Sequence, residues 1–253
     1  MSFRRENILG VGVSVIQMTD AMNQIAEWVR TKKAAYICVT PAHAVMECVK
    51  HPVLKRIYNE SGLTTPDGMA IVWLLKMAGH KQVSRVYGPD LLQTVCKAMT
   101  DQKTRHFFYG GAPGVAEDLV AYLQKDNPNL AVAGLYSPPF RDLSKDEESQ
   151  VLAKFKDTAA DIIWVGLGSP RQEVWMAQHV SATDAVLIGI GAAFDFLSGH
   201  KKQAPRWIQR SGLEWFFRLC SEPGRLWRRY IQYPRFLWLV FLQKTGLRKY
   251  PMD

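Results

Sequence analysis

The chain has 253 residues, of which 47% are hydrophobic, so it can build a sizeable core, and its composition excludes a wholly disordered protein. Its formal net charge of +9 comes from 32 lysines and arginines against 23 acidic residues. The four cysteines are scattered, with no C-x-x-C pair and no histidines at metal-ligand spacing, which predicts free thiols in a reducing compartment.

Up to about residue 199, short apolar runs alternate with longer segments of helical period. In chain order the pattern predicts a strand or hairpin at 8–16, a helix through 21–29, a strand at 35–39, helices at 42–58, 68–77 and 89–99, a strand at 106–109, a helix at 115–123, a strand at 131–135, a helix opened by a capping box at 144–147, a strand at 161–165, a helix near 172–179 and a strand at 185–190.

This alternation predicts an α/β fold, with a Rossmann-like, mostly parallel sheet and helices on both of its faces. In such sheets ligands bind beyond the carboxyl ends of the strands. The residues that follow the predicted strands are therefore the first candidates for a site. They are Thr40 and the loops at 109–114, 166–172 and 189–195.

The loop at 166–172 gives the clearest of these signals. Its glycines, including Gly168, lead into a helix whose first turn carries Arg171 and Gln172. An arginine there opposes the helix dipole, which favours an anionic or hydroxyl-rich ligand. The glycine turn around Gly111 would admit a phosphate, but a tight turn explains it equally well, and Asp195 can be read as a helix cap.

Two further candidates lie outside these loops. Asp67 stands in a Thr-Pro-Asp-Gly run before a helix, where an N-cap role is the simpler interpretation. Arg85 precedes the next helix, where it can equally form a structural ion pair. The sequence has no D-x-D motif, the carboxylate pair that usually holds a divalent ion in enzymes that use sugar nucleotides. If this chain were such an enzyme, arginines would have to neutralise the leaving diphosphate.

The positive charge is concentrated in the last part of the chain. From residue 200 onward there are twelve lysines and arginines and three acidic residues, and this difference equals the net +9 of the whole chain. Aromatic residues are interleaved with these charges along two predicted helical stretches, 206–220 and 224–243. No apolar run approaches the roughly 20 residues of a membrane span. The pattern is typical of a segment lying on an anionic membrane, and a nucleic-acid-binding tail is the alternative.

Six blocks of the sequence, in this order, resemble the WecB/TagA/CpsF family of bacterial glycosyltransferases, glycosyltransferase family 26. They span nearly the whole chain and lie at 64–69, 85–91, 107–114, 166–173, 189–199 and from 203 to 223. The resemblance implies an inverting, metal-independent enzyme that moves a sugar from a UDP-sugar to a polyprenyl-diphosphate-linked saccharide. Its product would belong to an exopolysaccharide or a cell-surface polysaccharide.

The resemblance also implies roles for particular residues. Asp67 would be the general base, with Arg85 beside it in the active site, while Thr40 and Gln172 resemble donor-binding positions. Ala42 is a departure, because family members often carry asparagine there. The donor is therefore left open between a UDP-hexose such as UDP-glucose and a donor of the UDP-N-acetylmannosamine type.

The sequence thus predicts a catalytic α/β domain at 1–199 and a membrane-associating appendage at 200–253 that completes the active site. We expect no metal, no cofactor and no nucleic-acid partner, and a peripheral position at the cytoplasmic face of the plasma membrane; a homo-oligomer is left open. The predicted catalytic residues are Asp67 and Arg85. The predicted substrate-binding residues are Thr40, Thr65, Gly111, Gly168, Arg171, Gln172, Asp195, Arg206, Arg210, Arg218 and Arg225.

Overall fold

The structure, a computed structural model, describes residues 3–101 and 103–252. The strands in chain order are β1 (Arg5–Ile8), β2 (Val11–Ser14), β3 (Ala35–Thr40), β4 (Leu63–Pro66), β5 (His106–Gly110), β6 (Val132–Tyr136), β7 (Ile162–Gly166) and β8 (Val186–Gly189). The helices are α1 (Met18–Arg30), α2 (Ala42–Lys50), α3 (Pro52–Glu60), α4 (Met69–Met77), α5 (Gly88–Ala98), α6 (Val115–Asp126), α7 (Lys145–Asp157), α8 (Arg171–His179), α9 (Ala193–Leu197), α10 (Arg206–Arg210), α11 (Glu214–Ser221), α12 (Pro223–Tyr230) and α13 (Tyr233–Lys244).

Six strands form one sheet in the order β4-β3-β8-β7-β5-β6, and β1 and β2 form a separate antiparallel hairpin. The pairs β3–β8, β8–β7, β7–β5 and β5–β6 are all parallel. This confirms the predicted Rossmann-like α/β fold. The central strands β5 and β7 are buried along almost their whole length, as expected when helices cover both faces of a parallel sheet.

Apart from the short helix α9, which the sequence pattern does not predict, the structure differs from the predicted elements at three places. The sequence pattern gives no strand at 63–66, where β4 lies, because a four-residue Leu-Thr-Thr-Pro run shows no clear alternation. The helix predicted at 42–58 is two helices, because Pro52 lacks a backbone N–H and begins α3 instead of continuing α2. The two helical stretches predicted after residue 205 are four shorter helices, α10 to α13.

The described chain divides into two compact units. Unit 1 contains residues up to 18, residues 39–87 and residues from 202 onward, and unit 2 contains residues 19–38 and 88–201. The segment from 202 onward, here called the tail, therefore belongs to the same compact unit as β4 and α4. The predicted division into a catalytic domain at 1–199 and an appendage at 200–253 concerns function, which these compact units do not test, so it stays a prediction.

Unit 1 uses the tail to build its own core. Leu226 of α12 and Phe236 of α13 are each 1% exposed. The tail is also hydrogen-bonded to the β1–β2 hairpin, because the side-chain oxygen of Gln243 accepts the backbone N–H of Leu9 at 2.9 Å. In the same way the amide of Asn7 donates to the carbonyl oxygen of Tyr250 at 2.6 Å. Burial and hydrogen bonding together fix the tail in unit 1.

Unit 2 contains most of the parallel sheet and its own aromatic core. Trp164 and Phe108, on neighbouring strands, are completely buried. The capping box predicted at the start of α7 is present, with Ser144 and Glu147 each accepting the backbone N–H of the other. Within residues 3–101 and 103–252, no helix combines the length and the apolar character that crossing a bilayer requires.

A matched pair of leucines on α13 tests how firmly the tail belongs to the core. Leu239 is 5% exposed and Leu237 is 61% exposed. We expect Leu239→Ala to lower the free energy of unfolding by about 2–5 kcal/mol, because it removes buried methyl groups and leaves a cavity. Leu237→Ala should change it by less than about 0.5 kcal/mol. Urea denaturation of the full chain measures both, and equal effects would contradict the packing of α13.

Candidate active site

Asp67 lies directly after β4 and therefore at the carboxyl end of a strand of the parallel sheet. Its backbone N–H donates to the carbonyl oxygen of Thr40 at 3.3 Å, and the carbonyl oxygen of Pro66 accepts the N–H of Val86 at 2.9 Å. The N-cap position of α4 is occupied by Gly68, whose φ of +82° favours glycine. The strand that the sequence pattern missed thus places Asp67 where ligands bind in such sheets.

The guanidinium of Arg85 lies between two carboxylates. Its Nε and Nη2 atoms both donate to Oδ1 of Asp67, each at 3.1 Å. Its Nη2 atom also lies 2.7 Å from Oε2 of Glu214, in the first turn of α11. The side chains of Asp67, Arg85 and Glu214 are only 16, 15 and 12% exposed. One largely buried cation therefore pairs with two carboxylates, one of which belongs to the tail.

Tyr87 supports the same group from a second direction. Its ring lies under the guanidinium of Arg85, 3.9 Å from Cζ to the ring centroid, and its hydroxyl donates to Oε1 of Glu214 at 3.2 Å. The side-chain amide of Gln203 donates to that hydroxyl at 3.2 Å. Burial raises the pKa of Tyr87, and the charge of Glu214 acts in the same direction, so the hydroxyl stays protonated and donates.

The protonation of Asp67 reflects opposing influences. Burial raises the pKa of its carboxyl, because the charged form loses hydration. The positive charge of Arg85 opposes this rise, the negative charge of Glu214 adds to it, and Arg218 opposes it more weakly. The net result is a pKa above the usual range of an aspartate, which makes this carboxylate a better proton acceptor than an exposed one.

Two arginines of the tail, Arg218 and Arg229, lie close enough to affect the charges of residues in unit 1. Burial and the charges of Arg229 and Arg218 hold the pKa of His43 well below its usual range, so its imidazole is neutral at pH 7. Burial also lowers the pKa of Arg229, and the charge of Arg218 adds to that effect. Positive charges gathered in this way are typical of an anion-binding site.

The other predicted residues of unit 1 divide into buried and exposed ones. Thr40 and Thr65 are completely buried in β3 and β4, and Oγ1 of Thr65 has no hydrogen-bond partner among the described residues. Arg206 and Arg210 are exposed at the two ends of α10, and Arg206 donates to the side chain of Gln209 at 3.2 Å. Arg225, in α12, forms an ion pair at the surface, with its Nε atom 2.5 Å from a carboxylate oxygen of Glu222.

Unit 2 holds the predicted residues of the glycine-rich loops. Gly111 and Gly168 both have positive φ values, and a side chain on Gly168 would meet open space. Arg171 donates to the carbonyl oxygen of Arg141. The carboxylate of Asp195 lies 2.7 Å from the ammonium of Lys201.

Gln172 is oriented by its neighbour in the first turn of α8. Its side-chain amide donates to Oε1 of the buried Glu173 at 2.9 Å. Its oxygen Oε1 is buried and lacks a hydrogen-bond partner within the described part of the chain. A buried amide oxygen of this kind can accept a hydrogen bond from a ligand.

The sequence analysis missed Glu214 and Tyr87 as parts of the site. Glu214 stands among the tail residues quoted for the family resemblance, but no spacing connects it with Arg85. Tyr87 was visible only as part of a short block beside Arg85.

Within residues 3–101 and 103–252, no group of three or more histidine, cysteine or acidic side chains is placed to hold a metal ion.

Known proteins are similar to this chain over most of its length. The family model described as the glycosyl transferase WecG/TagA/CpsF family matches residues 6–250. A protein of Bacillus spizizenii (strain W23) is 30% identical over 218 residues, which cover 86% of this chain and 82% of that protein. A protein of Bacillus subtilis (strain 168) is 28% identical over 195 residues, covering 77% and 74%. Both are named N-acetylglucosaminyldiphosphoundecaprenol N-acetyl-beta-D-mannosaminyltransferase.

The shared guanidinium predicts opposite effects of two substitutions on stability. Because the pKa of Asp67 is higher in the folded chain than in the unfolded one, its charge lowers stability above the folded pKa. That effect is absent below the unfolded value of about 3.9. We expect Asp67→Asn to be as stable as the wild type or more so at pH 7, with the gain disappearing towards pH 3.5. Arg85→Met should cost about 3–5 kcal/mol, because two carboxylates then lose their cation.

Urea denaturation at pH 7 and at pH 3.5 measures both effects. A strongly destabilised Asp67→Asn variant, or a neutral Arg85→Met variant, would contradict the arrangement.

Proposed function

Because the chain belongs to the WecG/TagA/CpsF family of glycosyl transferases, we propose that it moves a sugar from a UDP-sugar to a saccharide linked to polyprenyl diphosphate. Family membership makes the chain a glycosyltransferase. The lipid-linked acceptor is supported by the relatives, whose printed name contains an N-acetylglucosaminyl group on diphosphoundecaprenol. The observation that carries the chemistry is Asp67, a largely buried carboxylate that Arg85 contacts at one oxygen.

In the proposed reaction Asp67 is the general base. Its carboxylate accepts the proton of the acceptor hydroxyl while that oxygen forms a bond to C1 of the donor sugar. The bond between C1 and the phosphate oxygen breaks, and UDP leaves with the bonding electron pair. A single displacement of this kind inverts the anomeric carbon. The raised pKa of Asp67 supports the role, because proton transfer is more favourable to a more basic carboxylate.

The leaving diphosphate needs positive charge as its own negative charge develops. We propose that arginines of the tail supply it, with Arg218 and Arg229 as the strongest candidates, because both contribute to the electrostatic environment of His43 and Arg218 also acts on Asp67. In this proposal no metal ion takes part. Activity that survives excess EDTA would support it, and activity that requires an added divalent ion would contradict it.

The remaining predicted substrate contacts are Thr40, Thr65, Gly111, Gly168, Arg171, Gln172, Asp195, Arg206, Arg210 and Arg225.

The donor sugar is a finer question. The name of the relatives points to an N-acetylmannosaminyl donor, whereas Ala42, the first residue of α2, is 4% exposed and offers no side-chain hydrogen bond. A panel of UDP-glucose, UDP-N-acetylglucosamine and UDP-N-acetylmannosamine decides between these, with a short-chain N-acetylglucosaminyl-diphosphoryl lipid as acceptor. Product mass identifies the transferred sugar. No transfer from any UDP-sugar to any lipid-linked saccharide would overturn the proposal.

The same assay tests the base. We expect Asp67→Asn to reduce transfer by about 10²–10⁴-fold, the usual contribution of a general base, while UDP affinity stays nearly unchanged. Asp118→Asn is a matched control, since this exposed aspartate of α6 pairs with the surface residue His200 at 2.8 Å. It should transfer at the wild-type rate. Normal turnover by Asp67→Asn would remove Asp67 from the mechanism.

We also propose that the tail lies on an anionic membrane at the cytoplasmic face. On α13 one side buries Phe236 and Leu239 in unit 1, while Leu237, Trp238 and Phe241 on the other side are more than half exposed. A helix that is apolar all round needs a second apolar surface. Exposed arginines such as Arg228 on the neighbouring α12 suit anionic headgroups.

Vesicle co-sedimentation tests this surface. We expect the double substitution Leu237→Ser and Trp238→Ser to weaken binding to phosphatidylglycerol vesicles by about tenfold or more, because each exposed side chain would otherwise gain roughly 1.5–3 kcal/mol on burial. Phe140→Ser is the control, since this fully exposed phenylalanine lies in unit 2. Preferential binding to plain oligonucleotides with unchanged vesicle binding would instead favour the nucleic-acid alternative.

A further inference from the structure

We propose that Glu214 is a positioning residue for the catalytic base: by holding the guanidinium of Arg85, it lets Arg85 orient Asp67 without neutralising it. The proposal rests on the general-base role of Asp67 given above. The tail would then contribute to the active site in two ways. Its carboxylate Glu214 would position the base, and its arginines are expected to bind the diphosphate.

The geometry shows how the guanidinium is shared. Its Nη2 atom serves both carboxylates, at 2.7 Å from Glu214 and 3.1 Å from Asp67. The shorter N–O distance is to Glu214, as an ion pair, while Asp67 accepts two hydrogen bonds from the same guanidinium. Both donors that Arg85 directs to Asp67 end on Oδ1. The other oxygen, Oδ2, is therefore the one that we assign to the acceptor hydroxyl.

Glu214 is itself held in place on three sides. Its Oε1 accepts the hydroxyl of Tyr87 at 3.2 Å, and that hydroxyl accepts from Gln203 at 3.2 Å. Its Oε2 faces Arg85. Glu214 also lies in the first turn of α11, where the helix dipole favours a negative charge. These contacts fix the position of the carboxylate relative to the guanidinium.

The charges around Asp67 explain why a second carboxylate matters. The charged groups that act on it are Arg85, Arg218 and Glu214. Without Glu214, the aspartate would face two cations and no other anion. Burial would still raise the pKa of Asp67, but that pKa would be lower than it is with Glu214 present, and the carboxylate would be a weaker base. With Glu214 present, one negative charge offsets one of the two cations, and burial then raises the pKa of Asp67.

The substitution Glu214→Gln tests the proposal, since it keeps the shape and removes the charge. We expect the acid limb of the kcat/KM profile to move down by about one pH unit, the lower end of the effect of a charge at this range. We expect kcat at the optimum to fall up to about tenfold, because a weaker base accepts the proton less readily. KM for the donor and the affinity for UDP should stay within about twofold of the wild type.

A direct measurement separates this inference from the proposed function. Carbon-13 NMR of aspartate-labelled full-length protein, with the Asp67 signal assigned by its absence in Asp67→Asn, follows the titration of the carboxyl in the absence of any substrate. We expect a lower pKa of Asp67 in Glu214→Gln than in the wild type. If the wild type transfers no sugar, the proposed function fails while this titration still tests the role of Glu214.

Two control variants distinguish charge from packing. Glu214→Asp retains the charge, so its acid limb should lie closer to that of the wild type than to that of Glu214→Gln. Glu27→Gln removes the partner of an exposed arginine on α1, where Arg30 lies 2.8 Å away, and should leave the profile unchanged. An unmoved acid limb, an unchanged or higher Asp67 pKa, or identical behaviour of Glu214→Asp and Glu214→Gln would overturn the proposal. Thermal unfolding of each variant verifies that it is folded.

Discussion

The pairing of Arg85 with two carboxylates is the interaction on which the site depends. Burying three charges would be unfavourable if any one of them lost its partner, so the elements that carry them must be held in register. β4 and the turn after it hold Asp67, and the start of α11 holds Glu214. The backbone hydrogen bond from Val86 to Pro66 keeps the Arg85 segment beside β4. The ion pairs of Arg85 therefore depend on the positions of both β4 and α11.

This dependence changes how the tail is understood. Its sequence reads as a basic appendage, yet Leu226, Tyr230 and Phe236 supply buried side chains to unit 1, and Gln243 binds the backbone of the β1–β2 hairpin. Removing the tail would expose core residues of unit 1 and would also remove the surface that we propose binds the membrane. A loss of activity on deletion would then follow from unfolding as readily as from a lost function. Single substitutions that separate the inner from the outer face of α13 give the informative comparison.

Much of the fold could be predicted from the sequence, because buried parallel strands and amphipathic helices leave distinct apolar periods. The short β4 could not, since four residues that include two threonines and a proline leave no such period. The site was predicted less completely. Asp67 and Arg85 belong to recognisable blocks, but Glu214 joins them only through a fold that brings it against Tyr87 across 127 positions of sequence. Arg171 contacts the carbonyl oxygen of Arg141 and the carboxylate of Asp142, which the sequence pattern does not indicate, and its role in substrate binding stays a prediction.

The positive charge of the tail, uniform in the sequence, has two different environments in the structure. On α12, Arg225 and Arg228 are exposed, whereas Arg229 is partly buried and acts on His43. Burial and the charges of Arg229 and Arg218 keep the pKa of His43 low, so this histidine adds no further charge to the cluster at pH 7. An eight-residue helix is short and stiff, so its two faces move together. If the proposed roles hold, contact of the outer arginines with anionic headgroups is coupled to the placement of the inner arginine for a diphosphate, because both lie on the same short helix.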